Sequence, residues 1–295
     1  MKMFFTAILT FVFCANLFAQ SALQQMFDTE KAFEQAAAEK GMKAAFLEFL
    51  SDDSIIFSPN AINGKQFWQA KEDSSAALLV RKSTYGDISA NGLLGYTMGD
   101  WRLYPKGKSE SLAEFGQYVT IWEKRQNGRF FASVDIGISH DKLTFADTDR
   151  VLRANRTSDP NKRGWSPTDS SMNFQRMSMS QERLGAAYKK FAADDVRLLI
   201  ERQPPILGKK NVVAEMGRYI SIEFPKKTAL FQSADMAYTW NPCQYANSNE
   251  GTETGNCLHV WKLRNKKWWI VLGVFARVNS QDAPVLKTKK KNKKS

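Results

Sequence analysis

The fold is decided by a strand, turn and strand that the chain spells twice. Residues 116–131 read GQYVTIWEKRQNGRFF, and residues 255–269 read GNCLHVWKLRNKKWW. Trp122 and Trp261 take the same place in the two copies, at an offset of 139 residues. Side chains in both copies can be divided between two faces with the period of two that characterises a β-strand. The repetition predicts an internal duplication.

The two copies differ at the turn between the strands. In the first copy, Asn127-Gly128 is the residue pair that favours a two-residue type I′ hairpin turn, because both central positions need a positive φ. In the second copy the turn is shortened to Asn265-Lys266-Lys267. We therefore predict a type I′ turn at residues 127–128.

Helical segments repeat as well. Residues 22–40 are rich in Ala, Glu, Gln and Lys and predict a helix that Gly41 ends. The segment AAFLEFLSDD recurs as AAYKKFAADD at an offset of 142, and its two aspartates are expected to cap the helix and begin a turn. The two segments occupy residues 44–53 and 186–195. A third helix is predicted at residues 65–80 in the first copy and at residues 209–217 in the second.

Long strands follow the helices in each copy, at residues 88–104 and 230–246. Helices followed by an antiparallel meander are typical of an α+β protein. We therefore predict two tandem domains. The expected divisions are a signal peptide (1–20), a first domain (21–140), a polar and turn-rich linker (141–171), a second, degenerate domain (172–280) and a disordered basic tail (281–295).

The amino terminus has the pattern of a secretory signal peptide. Lys2 precedes an apolar run, and the small residue Ala19 marks the expected cleavage position. The run is shorter than the roughly 20 apolar residues that a spanning helix needs. Lipid anchoring at Cys14 is the alternative, but the bulky Phe13 before it argues against that processing. We expect a periplasmic or secreted protein.

Export changes the interpretation of the cysteines. After cleavage only Cys243 and Cys257 remain, and an oxidising compartment favours a disulfide between them. Closing this loop would stabilise the fold by about 3 kcal/mol in the chain-entropy model. The alternative is a metal site, for which two cysteines and the nearby His259 supply too few ligands. No metal and no cofactor are expected.

The formal net charge of +12 is concentrated in part at the carboxyl terminus. The last residues read KTKKKNKKS, and such a run of like charges repels itself. The tail could make weak contact with an anionic surface, or it could serve only solubility. The rest of the chain has no aromatic and basic pattern of a nucleic-acid-binding module, so no specific nucleic acid is expected.

Several motifs give each half a recognisable pattern. The first copy has Asp52-Asp53, then NGLLGYTMGDW at residues 91–101, then Gly116 and Tyr118. The second copy retains less of it, namely Tyr238, Gly255, Trp261 and Trp268. With these residues, each half resembles the nuclear-transport-factor-two-like fold shared by ketosteroid isomerase and the polyketide cyclase SnoaL. More narrowly, it resembles a SnoaL-related branch of exported bacterial proteins.

The resemblance implies two cone-shaped domains, each with amino-terminal helices packed in a curved antiparallel sheet around a pocket. Strand alternation puts Thr120 on the pocket face, and His259 on the corresponding face of the second copy. The pocket is expected to hold a small apolar ligand and to be lined by Tyr96, Trp101, Tyr118, Thr120, Trp122, Tyr238, Trp240, His259 and Trp261.

The opposite strand face is apolar too, and carries Val119 and Ile121 in the first copy and Leu258 and Val260 in the second. A sheet that is apolar on both sides must bury both. In the family that the chain resembles, the outer face forms a dimer contact. The two copies could make that contact within one chain, as an intramolecular pseudo-dimer, or a homodimer could form.

The resemblance to the isomerase does not extend to its catalytic carboxylates. The position of its general base, before Pro59, is Ser58, and its protonated aspartate corresponds to Thr120 and His259. The remaining candidates for a general base are Asp135 and His259. For both, a structural role, hydrogen-bonded within a strand, is the alternative.

Two functions remain open at this point. The first is an exported, non-catalytic protein whose cones bind a small hydrophobic molecule or serve as an interaction scaffold. The second is a SnoaL-like lyase, cyclase or isomerase that uses Asp135 or His259 as base and Tyr96 or Tyr238 as proton donor. A third possibility is that the lysine tail tethers the protein to an anionic surface.

Overall fold

A computed structural model describes residues 3–72, 77–107, 114–140, 152–153, 166–179, 183–224, 228–247 and 251–278, and for residues 3–20 it describes the backbone. Helix α1 spans Met3–Glu39, so it begins within the predicted signal peptide. In this part of the chain no helix is both long and apolar enough to span a membrane. The predicted basic tail and most of the predicted linker lie outside the described residues.

The first half consists of helices packed on one seven-stranded sheet. Its strand order is β2-β1-β6-β5-β4-β3-β7. Neighbouring strands are antiparallel except that β1 pairs with β6, and β3 with β7, in parallel. The sheet is therefore mixed rather than wholly antiparallel as predicted. Its elements after α1 are α2 (Met42–Phe49), β1 (Leu50–Phe57), β2 (Ala61–Asn63), α3 (Gly64–Ala70), β3 (Leu78–Ile88), β4 (Leu94–Tyr104), β5 (Glu114–Lys124), β6 (Phe130–Ser139) and β7 (Leu152–Arg153).

The second half repeats this order, which confirms the predicted α+β architecture with two tandem units. Its sheet runs β10-β12-β13-β14-β8-β9, with β11 also paired to β12 and with β8 parallel to β14. Its elements are α4 (Pro167–Ser178), α5 (Arg183–Phe191), β8 (Ala192–Ile200), β9 (Ile206–Leu207), α6 (Lys209–Met216), β10 (Tyr219–Glu223), β11 (Ala229–Ser233), β12 (Met236–Asn247), β13 (Gly251–Arg264) and β14 (Lys267–Val278).

Two predicted boundaries are wrong. The helix expected at residues 65–80 ends at Ala70, and β3 begins at Leu78. Helix α4 begins at Pro167, inside the predicted linker, because Ser166 caps it by accepting a hydrogen bond from the Asp169 amide. A proline in the first turn behind a serine cap is a common helix start, since proline has no amide to satisfy there.

The duplication extends to irregular details. The pairing of β5 with β6 shifts register between Ile121 and Trp122, and that of β13 with β14 shifts between Val260 and Trp261. Each shift marks a bulge, which bends the strand locally. The same tryptophan therefore sits at the same bend in both halves.

A surface ion pair is duplicated as well. Asp53 lies 2.7 Å from Arg125, and Asp195 lies 2.6 Å from Arg264 at the matching place in the second half. The sequence predicted that Asp52 and Asp53 cap the end of α2. They belong instead to strand β1, because the strand starts directly after the helix. The repeated Asp-Asp pair thus marks a strand and its ion pair, not a turn.

The predicted turn type is assigned to the wrong copy. Asn265 and Lys266 have φ values of 50° and 65° and connect Arg264 directly to Lys267, which is the two-residue type I′ geometry. In the corresponding loop of the first half, between Lys124 and Phe130, Gly128 alone has a positive φ, of 76°, and the loop is longer. A lysine at a positive φ is strained, so the tight turn is set by the paired strands.

In each half the helices cover the inner face of the sheet with aromatic side chains. In the first half Phe33 of α1 contacts Phe46, Phe49 and Trp122, with ring centroids 5.0, 5.4 and 6.3 Å away. The second half has the same arrangement around Phe174, which contacts Tyr188, Phe191 and Trp261. Trp122 and Trp261 therefore face the helices in both halves.

The outer faces of the two sheets pack against each other. One continuous apolar cluster contains Val119 and Ile121 from the first half together with Leu258 and Val260 from the second. At the edge of this contact the buried ammonium group of Lys262 lies 3.4 Å from both Asp87 and Asp235, so it joins the halves through charge. Each sheet thereby buries both of its apolar faces.

The two cysteines form the expected bond. Cys243 of β12 and Cys257 of β13 are joined, with Cα atoms 6.1 Å apart, and both are buried. The disulfide links neighbouring strands of the second sheet on its inner side. It therefore stabilises the half in which the sequence motifs are degenerate.

Candidate functional site

Three of the predicted pocket residues lie outside either interior. Tyr96 pairs with Ile121, Tyr238 with Val260 and Trp240 with Leu258 in their antiparallel ladders. Residues directly opposite in such a ladder share a face, so these aromatic side chains point toward the contact between the sheets. Tyr96 and Tyr238 are buried in that contact and Trp240 packs beside it. Their assignment to the pockets is wrong.

The interior of the first half contains a buried carboxylate at its centre. Glu30 of α1 is fully enclosed and accepts hydrogen bonds from the hydroxyl groups of Thr97 and Tyr118 and from the indole nitrogen of Trp122. The Tyr118 and Trp122 bonds measure 3.0 and 3.2 Å. A buried carboxylate of this kind is tolerated only when its acceptor sites are filled. Two predicted pocket residues therefore serve to satisfy a helix side chain.

A buried guanidinium completes this network. Arg81 of β3 donates to Glu30 at 3.3 Å, to Asp135 at 3.0 Å and to Thr120 at 2.6 Å. Its guanidinium also lies 3.7 Å from the centre of the Tyr118 ring. Burial by itself would lower the pKa of Arg81, but the attraction of Asp135 and Glu30 outweighs it and raises the pKa. Arg81 is therefore always charged and holds both carboxylates.

Glu34 lies one helical turn beyond Glu30 and is half-buried. It accepts a hydrogen bond of 2.6 Å from the Ser83 amide and lies 3.4 Å from the Tyr118 hydroxyl. Burial, followed by repulsion from Glu30, raises the pKa of Glu34 from 4.5 to about 7. This carboxyl can therefore bind or release a proton near neutral pH.

The network reaches solvent at one end, which we call the margin and define by Glu34, Asp135 and Trp101. The Asp135 side chain is 13% exposed, whereas Glu30 and Arg81 are almost completely enclosed. The Trp101 indole nitrogen donates to the carbonyl groups of β5 and β6, and a Cβ at Gly137 would lie 3.5 Å from it. Trp101 lies opposite Arg81 in the ladder of β3 and β4, so its side chain is on the sheet face that carries the network.

The interior of the second half is different in character. His259 is 3% exposed, its Nε2 lies 2.9 Å from the Tyr188 hydroxyl, and aromatic rings including Phe174 and Phe275 surround it. Burial lowers the pKa of His259 from 6.5 to about 3, so the imidazole is neutral. Trp261 donates at 3.0 Å to Thr239. This set is a packed core in which His259 has no path to a substrate among the described residues.

Equivalent positions explain why the polar network is confined to the first half. Thr120 pairs with Asp135 across β5 and β6, and His259 pairs with Gly273 across the matching strands β13 and β14. Thr120 therefore corresponds to His259, and Asp135 corresponds to Gly273. A Cβ at Gly273 would lie 2.8 Å from the Tyr188 hydroxyl. The tyrosine therefore occupies the space that a carboxylate fills in the first half.

Glu30, Glu34 and Arg81 were not identified from the sequence, although they hold the predicted residues Tyr118, Thr120 and Asp135 together. Glu30 and Glu34 lie on the same side of α1 as the buried Phe33. A carboxylate on the apolar face of an amphipathic helix is the sequence feature from which the network could have been predicted. In the described part of the chain no cluster of three or more His, Cys, Asp or Glu side chains has the arrangement of a metal site.

Comparison with known proteins gives structural likeness only. No protein-family model matches the chain, and no curated protein is similar to it. Among solved structures, a Nostoc punctiforme protein of unknown function with a cystatin-like fold is 16% identical; the match covers 38% of this chain and 89% of that one, with a TM-score of 0.31.

Two further solved structures give similar values. An NTF2-like protein (named for nuclear transport factor 2) from Cytophaga hutchinsonii is 16% identical over 39% of this chain and 100% of its own, with a TM-score of 0.32. An NTF2-like protein of unknown function from Prochlorococcus is 18% identical over 39% of this chain and 96% of its own, with a TM-score of 0.33.

Proposed function

We propose that this is an exported, non-catalytic protein that binds a small molecule at the margin of its first half, and that the second half acts as a scaffold. The observation that carries the proposal is the unequal filling of the two interiors. The first contains a charged network that reaches solvent at Glu34 and Asp135, whereas His259 in the second is enclosed by aromatic rings.

The margin indicates the chemistry of the ligand. Trp101 offers an apolar surface, and the carboxylates of Glu34 and Asp135 accept hydrogen bonds. A ligand with an apolar body and a donor or cationic group fits these neighbours better than the purely apolar molecule expected from the sequence. The ligand's charge would be balanced by the excess of carboxylates over the single guanidinium of Arg81.

The proposal of a binding protein rests on the state of the candidate bases. Asp135 already accepts from Arg81 at 3.0 Å and from Thr120 at 2.6 Å, so its Oδ2 atom is engaged within the network. His259 is neutral but enclosed. Tyr96 and Tyr238 face the contact between the sheets and could not serve as proton donors in either interior.

A second candidate function is acid–base catalysis at Glu34. Its pKa of about 7 is the one observation that favours an enzyme, because a general acid or base works best when its pKa is near the operating pH. Under this alternative E34Q would abolish turnover without weakening ligand binding. Under the binding proposal E34Q changes affinity alone.

We further propose that the contact between the outer faces is an intramolecular pseudo-dimer that replaces a homodimer. The apolar cluster shared by the two halves and the buried Lys262 with Asp87 and Asp235 support this. The protein should then be monomeric by light scattering at micromolar concentration. A concentration-dependent dimer would count against the proposal.

Ligand retention tests the binding proposal. Protein isolated from the exported fraction is extracted with organic solvent and the released molecules are quantified by mass spectrometry. The variant W101A/D135N should lose a molecule that the wild type releases, whereas H259Q should retain it. Equal release from W101A/D135N and wild type would refute a site at the margin.

A further inference from the structure

A second surface of the molecule gathers positive charge around an aromatic ring. Lys267 has its ammonium group 3.7 Å from the centre of the Trp269 ring, and Lys209 has its own at 5.2 Å. Lys267 and Lys190 both border the neighbouring Phe191 ring, at 5.9 and 5.7 Å. Three lysines from a hairpin and two helices thus converge; we call them the lysine patch.

Among the described residues no ion pair joins a carboxylate to any of the three ammonium groups, although Lys267 donates to the Lys190 carbonyl at 2.8 Å. Burial, followed by repulsion from Lys209 and Lys190, lowers the pKa of Lys267. The nearby Asp195 is bonded to Arg264 by two hydrogen bonds and is not available to the patch. The positive charge of the patch is therefore left for a ligand to neutralise.

The first half provides an internal reference for the same surface. There Glu48 takes the position of Lys190 and pairs with Lys40 at 3.0 Å. Lys65, which corresponds to Lys209, donates to two backbone carbonyl groups and lies 4.0 Å from Asp52. On this surface of the first half the acidic Glu48 thus balances a lysine, whereas the equivalent residue of the second half is the basic Lys190.

The helices α3 and α6 hold equivalent places in the two halves, and the start of α6 is the more positive of the two. In the first half the side chain of Asn63 caps helix α3 by accepting from the Gln66 amide. In the second half the cap of α6 is Gly208, which has no side chain, and Lys209 is the first helical residue. The amides at the start of α6 therefore lack a side-chain acceptor and add positive potential next to Lys209.

We propose that Lys190, Lys209 and Lys267, gathered around the rings of Trp269 and Phe191, bind a phosphate-type oxyanion. Lysine ammonium groups are point donors that suit a multiply charged oxyanion, and three of them can contact separate oxygens. The ring of Trp269 is covered by Lys267, so the ligand contacts the ammonium groups rather than stacking on the indole. This site is separate from the margin and does not depend on the function proposed there.

Calorimetric titration of the full chain with inorganic pyrophosphate tests the site. The variant K190Q/K209Q/K267Q should bind at least tenfold more weakly than wild type. The control K31Q/K71Q/K124Q removes the same charge, and its Lys71 and Lys124 also lie over aromatic rings. Because both variants keep the basic tail, its contribution is equal in the two titrations.

Three results would overturn the proposal: absent binding by wild type, equal weakening in both triple variants, or no weakening in the patch variant. K209Q alone should weaken binding several-fold, which covers the case in which the triple variant is unstable. A second arm identifies the source of the oxyanion by sedimentation with phosphatidylcholine vesicles that contain phosphatidylglycerol. Patch-dependent sedimentation indicates a lipid headgroup, and its absence indicates a soluble phosphate.

Discussion

Replacing Glu34 by glutamine should change the pH dependence of stability in a predictable direction. The folded protein raises the pKa of this carboxyl from 4.5 to about 7 through burial and repulsion from Glu30. Between these two values the folded state holds a proton that the unfolded state has released. Linkage then requires the free energy of unfolding to fall as the pH rises from 4.5 to about 7.

The magnitude follows from the size of the shift. Each pKa unit corresponds to about 1.4 kcal/mol, so the full shift of Glu34 costs on the order of 3 kcal/mol above neutral pH. The E34Q variant should equal the wild type near pH 4 and exceed it by up to that amount near pH 8. Glutamine keeps an oxygen that can accept from the Ser83 amide and the Tyr118 hydroxyl, so geometry is preserved.

Urea unfolding followed by tryptophan fluorescence across this pH range measures the effect. The difference between E34Q and wild type isolates Glu34, because all other titrating groups are common to both proteins. E39Q is the matched control, since it removes an exposed carboxylate from the same helix. A pH-independent difference between E34Q and wild type would refute the reasoning.

Three other perturbations have defined outcomes. Burial lowers the pKa of His259 from 6.5 to about 3, so the free energy of unfolding should fall by on the order of 4 kcal/mol as the pH falls from 6.5 toward 3. H259Q should reduce this loss, and an unchanged acid profile in the variant would contradict the assignment. Reduction of the Cys243–Cys257 bond should cost about 3 kcal/mol in urea unfolding, with a C243A/C257A variant insensitive to reductant; equal sensitivity of both proteins would exclude the bond as the cause. R81M leaves two buried carboxylates without a cation and should cost about 3–5 kcal/mol, whereas R125M, at an exposed pair, should cost less than about 1; similar losses would show that the network is not buried.

Much of the architecture follows from local sequence. The strand period of two places Trp122 and Val119 on opposite faces of β5, so the division of this strand into two faces was predictable, and the resemblance indicated which face is the inner one. The cysteine count predicts the bond between Cys243 and Cys257 once export is assumed. The duplicated segments predict two units because each repeats helices and strands in the same order.

The candidate site was less predictable because its members meet only through tertiary packing. The contact of Arg81 with Glu30 depends on the rotation of α1 against the sheet, which no short pattern specifies. The prediction for Tyr96 and Tyr238 is wrong because their position on strands around the expected cones does not specify which face of the strand carries them. The face of β4 is set by its register with β5, and that register has to be known before the tyrosine can be assigned.

We propose a binding site in only one of the two interiors, and the stoichiometry of retained ligand tests this proposal most directly. Native mass spectrometry of the purified protein, without reductant, reports the mass of the intact chain and of any molecule bound to it. We expect a monomer with one small molecule per chain, which is lost in W101A/D135N and kept in H259Q. Two molecules per chain, or a chain that never carries added mass, would contradict it.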